Sequence, residues 1–278
     1  MPTMSIVRIE SAMDWVQFSA PGSTILSDEM SHFAHELRQQ EERAGYLAKN
    51  MQVHGYFGWS VGSVAFLIHE QRERVMLKVS SDLCAVHQAY LAALGIENGS
   101  SVTRVDLQAT VWYATYMPGV AEDLGRRVLT VRAGRTSPRA TYINGLGHGD
   151  TTYIGAPSSD KRVRVYDKYK ESGGEEDYLN AWRYEVQYRS TYAHEILKLL
   201  NDAIEVGERV AAIINGEFKP YDFTVVPDVR AVQRPKGMQR NTDIERRLQW
   251  LKNQVGPATR EVAYEVGWDT IMDILKGY

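Results

Sequence analysis

Cysteine is nearly absent from this chain: Cys84 is the only one in 278 residues. A single thiol excludes an internal disulfide and a thiolate zinc cage, and it is expected as a small buried apolar residue. Long apolar runs are missing too. None approaches the roughly 18 residues that mark a membrane span, and the start of the chain lacks the basic, apolar, small-residue order of a secretion signal. A soluble, cytoplasmic protein with no membrane partner is expected. There is no internal repeat and no low-complexity segment. Positive charge is not in excess: the formal net charge is -3 and the pI is near 6.2. That balance argues against an indiscriminate nucleic-acid binder, which would be basic overall. The 44% hydrophobic content suffices for one large domain or two packed subdomains.

The distribution of charge says more than its sum. Arg126, Arg127, Arg132, Arg135 and Arg139 fall in a stretch with no acid, and Lys161, Arg162, Arg164, Lys168 and Lys170 follow with only Asp167 among them. A third cluster holds Arg230, Arg234, Lys236 and Arg240. Any one cluster reads as a solvated face; together they point to a surface that tracks phosphates.

Periodicity gives a coarse outline. Residues 14–19 alternate and read as a strand ended by Pro21 and Gly22. A helix is expected over 28–49, strands at 63–68 and 75–79, and a helix over 81–94 ended by Gly95. A strand-rich middle follows, at 102–113, 127–132, 152–154, 162–169 and 182–188. A helix over 193–214 closes it. After Asp222 the character changes to a basic, proline-containing linker. Thr242 and Glu245 then form a capping box opening a further helix, which Gly256 and Pro257 stop. The expected division is 1–221 and 222–278.

Three of the middle strands share one pattern. Over 162–168, period two puts Arg162, Arg164, Tyr166 and Lys168 on one face, and Val163 and Val165 on the other. Over 102–111, Arg104, Asp106 and Gln108 oppose Thr103, Val105, Leu107 and Ala109. Over 182–188, Arg183, Glu185 and Gln187 oppose Trp182, Tyr184, Val186 and Tyr188. Charged groups in mid-strand are costly unless that face meets water, a ligand or a partner charge. An ordinary half-solvated sheet with cross-strand Arg–carboxylate pairs accounts for any single strand. All three together supply a nucleophile, metal ligands and phosphate clamps, the parts that phosphodiester transesterification needs. A tyrosine hydroxyl with a free pKa near 10 is a poor nucleophile at neutral pH. A divalent cation on carboxylate oxygens and adjacent cationic side chains favour both the phenolate and the charge building on phosphorus. The resulting phosphotyrosine bond keeps the energy of the broken linkage, so rejoining needs no ATP.

Tyr-Ile-Gly-Ala-Pro-Ser-Ser-Asp at 153–160, running into Arg-Val-Tyr-Asp-Lys at 164–168, resembles the central signature of the rolling-circle replication initiation factor family. That family comprises plasmid and phage initiators and related relaxases of conjugative elements. Asp-Trp-Val-Gln-Phe at 14–18 resembles its opening strand, Thr-Arg-Val-Asp-Leu at 103–107 its metal strand, and Trp-Arg-Tyr-Glu-Val-Gln at 182–187 its Arg-x-Glu strand. The tail at 242–257 is similar to one found in some members. The resemblance implies a nick at a double-stranded origin, a 5′-phosphotyrosine link to a single-stranded site, and a free 3′-OH. It also implies a helicase partner, with a homodimer as one form of assembly. By position, Tyr166 matches the nucleophile, with Arg164 and Lys168 beside it, and Asp106 and Glu185 match acidic positions that would hold Mg or Mn. Thr110 stands where members often carry a second Asp, which brings Glu171 and Gln187 into view as further ligands. No His-apolar-His pair is present; His54 and His148 read as turn residues.

The expected fold is α+β: a mainly antiparallel sheet backed by helices, with a small helical C-terminal region. The expected function is metal-dependent nicking and joining of DNA. Arg104, Arg162, Arg183, Arg132 and Arg135, with Arg234, Lys236 and Arg240 in the tail, are the expected DNA contacts. The alternative is a non-catalytic, sequence-specific DNA-binding protein. A tyrosine recombinase is disfavoured by the missing Arg, His-x-x-Arg and late-Tyr order.

Overall fold

Alternating apolar side chains need a surface on which to bury one face, and here one large sheet supplies it. The computed structural model describes residues 5–22, 25–96, 101–130, 139–145, 149–203, 205–232 and 256–276. Its strands are β1 (Ile6–Pro21), β2 (Lys49–Val53), β3 (Tyr56–Val61), β4 (Val64–His69), β5 (Arg74–Ser80), β6 (Ser101–Tyr113), β7 (Ala140–Ile143), β8 (Thr151–Ile154), β9 (Lys161–Asp167) and β10 (Ala181–Arg189). They form a single antiparallel sheet in the order β2-β3-β4-β5-β1-β6-β10-β9-β8-β7. The long strands β1 and β6 lie side by side at its centre.

Helices α1 (Ile25–Arg43), α2 (Ser81–Val86), α3 (Gln88–Leu94), α4 (Val120–Thr130), α6 (Ser190–Asn201) and α7 (Val206–Phe218) pack against the sheet, and the single turn α5 (Lys168–Glu171) follows β9. The core lies where α6 and α7 pack on β1, β6 and β10. Met13, Val16 and Phe18 of β1 are buried there with Val105, Leu107 and Ala109 of β6 and Trp182, Tyr184, Val186 and Tyr188 of β10. Full burial of each large side chain contributes roughly 2–3 kcal/mol. Their polar ends are satisfied: the Tyr184 and Tyr113 hydroxyls meet at 3.0 Å, and Tyr188 donates to Glu217 of α7 at 3.2 Å. Thr152, paired with Val165, donates to the Ala121 carbonyl at 2.6 Å, which places α4 on the same side as that core. The opposite face of the central strands carries the charged residues.

The chain divides into a unit of Met1–Gln233 and a unit of Arg234–Tyr278. In the second unit, Gly256–Val266 and Trp268–Lys276 are helices. Gly256 and Pro257 open the first of these, where proline's fixed φ and missing N–H suit a first turn, and the helix they were expected to stop lies outside the described residues. The capping box at 242–245 lies outside the described residues.

Several local expectations are corrected. The strand expected at 127–132 is helix α4 as far as Thr130: Val120, Ala121, Leu124 and Val128 recur at helical spacing and are buried. Arg126 and Arg127 pair with Glu122 and Asp123 one turn earlier. Those two arginines are therefore neutralised, and the first basic cluster is weaker than its composition suggested. The first helix stops at Arg43 rather than 49, where Gly45 takes a φ of 94°. Strands β2 and β3 follow, joined through His54 and Gly55, both at positive φ. The helix expected over 81–94 breaks at His87, and the one over 193–214 breaks after Asn201.

Candidate active site

The pairing register fixes which charges meet. On β10, Arg183 stands between Thr110 of β6 and Tyr166 of β9, Glu185 between Gln108 and Arg164, and Gln187 between Asp106 and Arg162. Side chains of one parity therefore form rows across three strands on the face turned away from the core.

A β-bulge adds a further acid. The β1–β6 register slips between Met13 and Trp15, leaving Asp14 as the extra residue. Asp14 and Trp15, though consecutive, both line a cleft of about 360 Å³ on the charged face, while Met13 and Val16 on either side are fully buried. Re-aiming a side chain in this way is a recurrent use of bulges beside functional sites. Arg104, Asp106, Arg162, Arg164 and Glu185 line the same cleft.

Tyr166 donates its hydroxyl to Glu185 Oε1 at 2.5 Å. The other oxygen of Glu185 accepts from Arg164 Nε at 2.9 Å and Nη2 at 2.7 Å, and the same guanidinium lies over the Tyr166 ring at 4.2 Å. Tyr166 is 3% exposed. Burial, then the Glu185 charge, push its phenol pKa well up, and Arg183 and Arg164 pull it back. Arg183 Nε donates to Thr110 Oγ1 at 2.9 Å. Thr110 thus holds an arginine opposite the tyrosine.

Asp106 is gripped by Arg104, whose Nε lies 2.9 Å from Oδ1, and Gln187 Nε2 approaches at 3.5 Å. Burial raises its pKa and Arg104 opposes the rise. Asp14 is raised further, to about 6, by burial and then by Glu185, with Asp106 adding to it. The three carboxylates thus feel one another across the cleft.

Not every expected residue joins them. Strand β9 ends at Asp167, which caps α5 by accepting from Lys170 N at 3.1 Å. Lys168 therefore leaves the strand itself; it pairs with Glu171 at 2.7 Å and lies 4.9 Å from the Tyr178 ring, and its charge still acts on Asp14. Glu171, so paired, is not among the residues that line the cleft. Arg132, Arg135, Arg234, Lys236 and Arg240 lie outside the described residues, as does His148. Asp14 was missed as a site residue because a bulge leaves no mark in composition.

Among the described residues, no group of three or more His, Cys, Asp or Glu side chains forms a ready metal cage. The donors present do fit a hard cation of another kind. Mg²⁺ is commonly held by one or two carboxylates, with water and substrate phosphate oxygens completing the shell. Asp106 and Glu185 each keep free lone pairs beyond their arginine contacts.

A family model described as replication initiation factor matches residues 126–278. No curated protein matches the sequence. Among solved structures, the fold is similar to a rolling circle replication initiator protein from Geobacillus stearothermophilus. That likeness has a TM-score of 0.57 at 20% identity and covers 77% of this chain and 86% of that one. Among the described residues, no helix is long and apolar enough to cross a membrane. The matched model spans more than half of the sequence, including β8, β9 and β10, so the chain belongs to the replication initiation factor family.

Proposed function

We propose that this chain starts replication or transfer by nicking one DNA strand through Tyr166 and later rejoining it. The carrying observation is the Tyr166–Glu185 hydrogen bond of 2.5 Å beside Arg164, with Arg183 across the strand pair. Glu185 accepts the phenol proton as the tyrosine oxygen forms a bond to phosphorus. The bond from phosphorus to the 3′-oxygen breaks, and that oxygen takes a proton from water. The products are a 5′-phosphotyrosine and a free 3′-OH. Arg164 and Arg183 stabilise charge on the phosphoryl oxygens, and a phosphate that draws Arg164 off the Tyr166 ring exposes the hydroxyl. Asp106 and Glu185 would hold Mg or Mn, which when bound polarises the phosphate.

Site-specific binding of the origin, a helicase partner and a homodimer belong to this reading. Supercoiled plasmid carrying the DNA that neighbours the gene tests it. Relaxation that needs Mg²⁺ or Mn²⁺ and leaves protein on a 5′ end is expected. Tight binding of that DNA with no nick under any metal would favour a non-catalytic DNA-binding protein.

A further inference from the structure

The cleft runs from Glu185, which accepts the Tyr166 hydroxyl, toward β8. On β8, Tyr153 lines it, and the Arg162 guanidinium lies over that ring at 4.1 Å. Arg162 precedes Tyr166 by four residues on the same strand, about 13 Å along it. That is too far to share one phosphate with the tyrosine. Arg104 and Arg164 are committed to Asp106 and Glu185. Arg162 has no acidic partner among the described residues, and its Nε is buried without an acceptor. An unsatisfied buried nitrogen at the wall of a cleft calls for an explanation, and an absent ligand is a common one. Across the cleft, Trp15 carries Lys78 at 4.0 Å and Arg104 at 4.2 Å, so that wall is both aromatic and cationic. The volume, about 360 Å³, lies in the range of roughly 300–1,000 Å³ usual for small-ligand sites, well beyond the needs of a lone phosphate.

We propose that this end of the cleft holds one unpaired nucleotide flanking the attacked phosphate, its base stacked on the Arg162–Tyr153 platform and its phosphate at the guanidinium edge. The proposal rests on the nicking reading for the presence of a single strand at Tyr166. A guanidinium plane lying on a ring offers a flat cationic surface to any base and N–H groups to an oxyanion. Stacking of this kind tolerates any sequence, because every base has a π face. The site therefore recognises the presence of a base rather than its identity.

The test uses Tyr166→Phe protein, which cannot cleave, and two labelled probes read by fluorescence anisotropy. One is (dT)12; the other is a backbone of equal length lacking every base. The (dT)12 probe is expected to bind at least about tenfold more tightly. Adding Arg162→Lys, which keeps the charge and loses the plane, should erase most of that gap. An unchanged melting temperature shows that the variant is folded. Tyr153→Leu, which removes the ring beneath, should shrink the gap likewise and decides the matter if Arg162→Lys fails to fold. Equal binding of the two probes, a gap untouched by either variant, or no binding of either probe would overturn the proposal. Adduct formation by the wild-type chain with no gap between probes sinks the nucleotide site alone. A clear gap with no adduct sinks the nicking reading alone.

Discussion

Tyr166 and Glu185 stand on neighbouring strands two residues apart in register, and the phenol donates to the carboxylate at 2.5 Å. The pairing partner directly opposite Tyr166 is Arg183, so the tyrosine has an acceptor on its diagonal and a cation beside it. A base within hydrogen-bond reach of the proton it removes typically contributes about 10²–10⁴-fold. Glu185→Gln keeps the shape and loses the acceptor charge. Its single-turnover rate of adduct formation should fall by that factor, with binding of a single-stranded probe changed only a few-fold. An unchanged adduct rate would remove Glu185 from the proton path.

Thr110 acts on Arg183 rather than on DNA. Thr110→Val retains the volume and leaves Arg183 Nε without its acceptor at 2.9 Å. Loss of a buried partner costs about 1–3 kcal/mol, and the freed guanidinium is no longer held opposite Tyr166. Adduct formation should slow by about tenfold, and Thr110→Ser should restore it. If Thr110→Ser behaves as Thr110→Val does, the hydroxyl is not what positions Arg183.

Asp14 carries a stability cost that pH reveals. Its pKa is about 6 in the fold, against about 3.9 for a free side chain. Between those values the folded chain binds more protons than the unfolded chain, so this residue's contribution falls as pH rises through that window. The penalty above pH 6 is at most about 3 kcal/mol, less whatever residual solvent contact screens. With chelator present, Asp14→Asn should therefore melt higher than the wild type at pH 8, and the gain should vanish near pH 4. A difference in melting temperature that does not vary across this range would contradict the assignment.

Gly155 closes the β8–β9 turn at a φ of 98°, with its N–H donating to the Arg139 carbonyl at 2.8 Å. An added Cβ would sit 2.8 Å from the Lys161 carbonyl oxygen. Gly155→Ala should destabilise the fold by roughly 1–3 kcal/mol, read as a lower melting temperature. An unchanged melting temperature would show that the turn relaxes freely.

The faces of β6, β9 and β10 were legible because each sets charged residues against Val, Leu, Tyr or Trp at period two, and only one register buries the apolar set. The antiparallel sheet backed by helices followed from the same pattern. What escaped depends on contacts between distant segments. The Asp14 bulge exists only as a mismatch between β1 and β6. Strands β2 and β3 carry mixed side chains, with exposed Phe57 beside intermediate neighbours, and show no clean alternation. The residues Val-Leu-Thr-Val at 128–131 favour a strand locally. Salt bridges one turn apart and a buried stripe on α4 override that preference as far as Thr130. Lys168 falls one residue past the end of the strand, where Asp167 caps a turn, and its charge still reaches Asp14.

The most direct test of the central claim is covalent capture. Wild-type protein and Tyr166→Phe are incubated with metal and a 3′-labelled single strand from the neighbouring DNA, then digested and analysed by mass spectrometry. The account predicts a nucleotide phosphate on the peptide containing Tyr166 in the wild type. It predicts none anywhere in Tyr166→Phe, with the variant still binding the strand. An adduct on another tyrosine, or one formed by Tyr166→Phe at the wild-type rate, would contradict it.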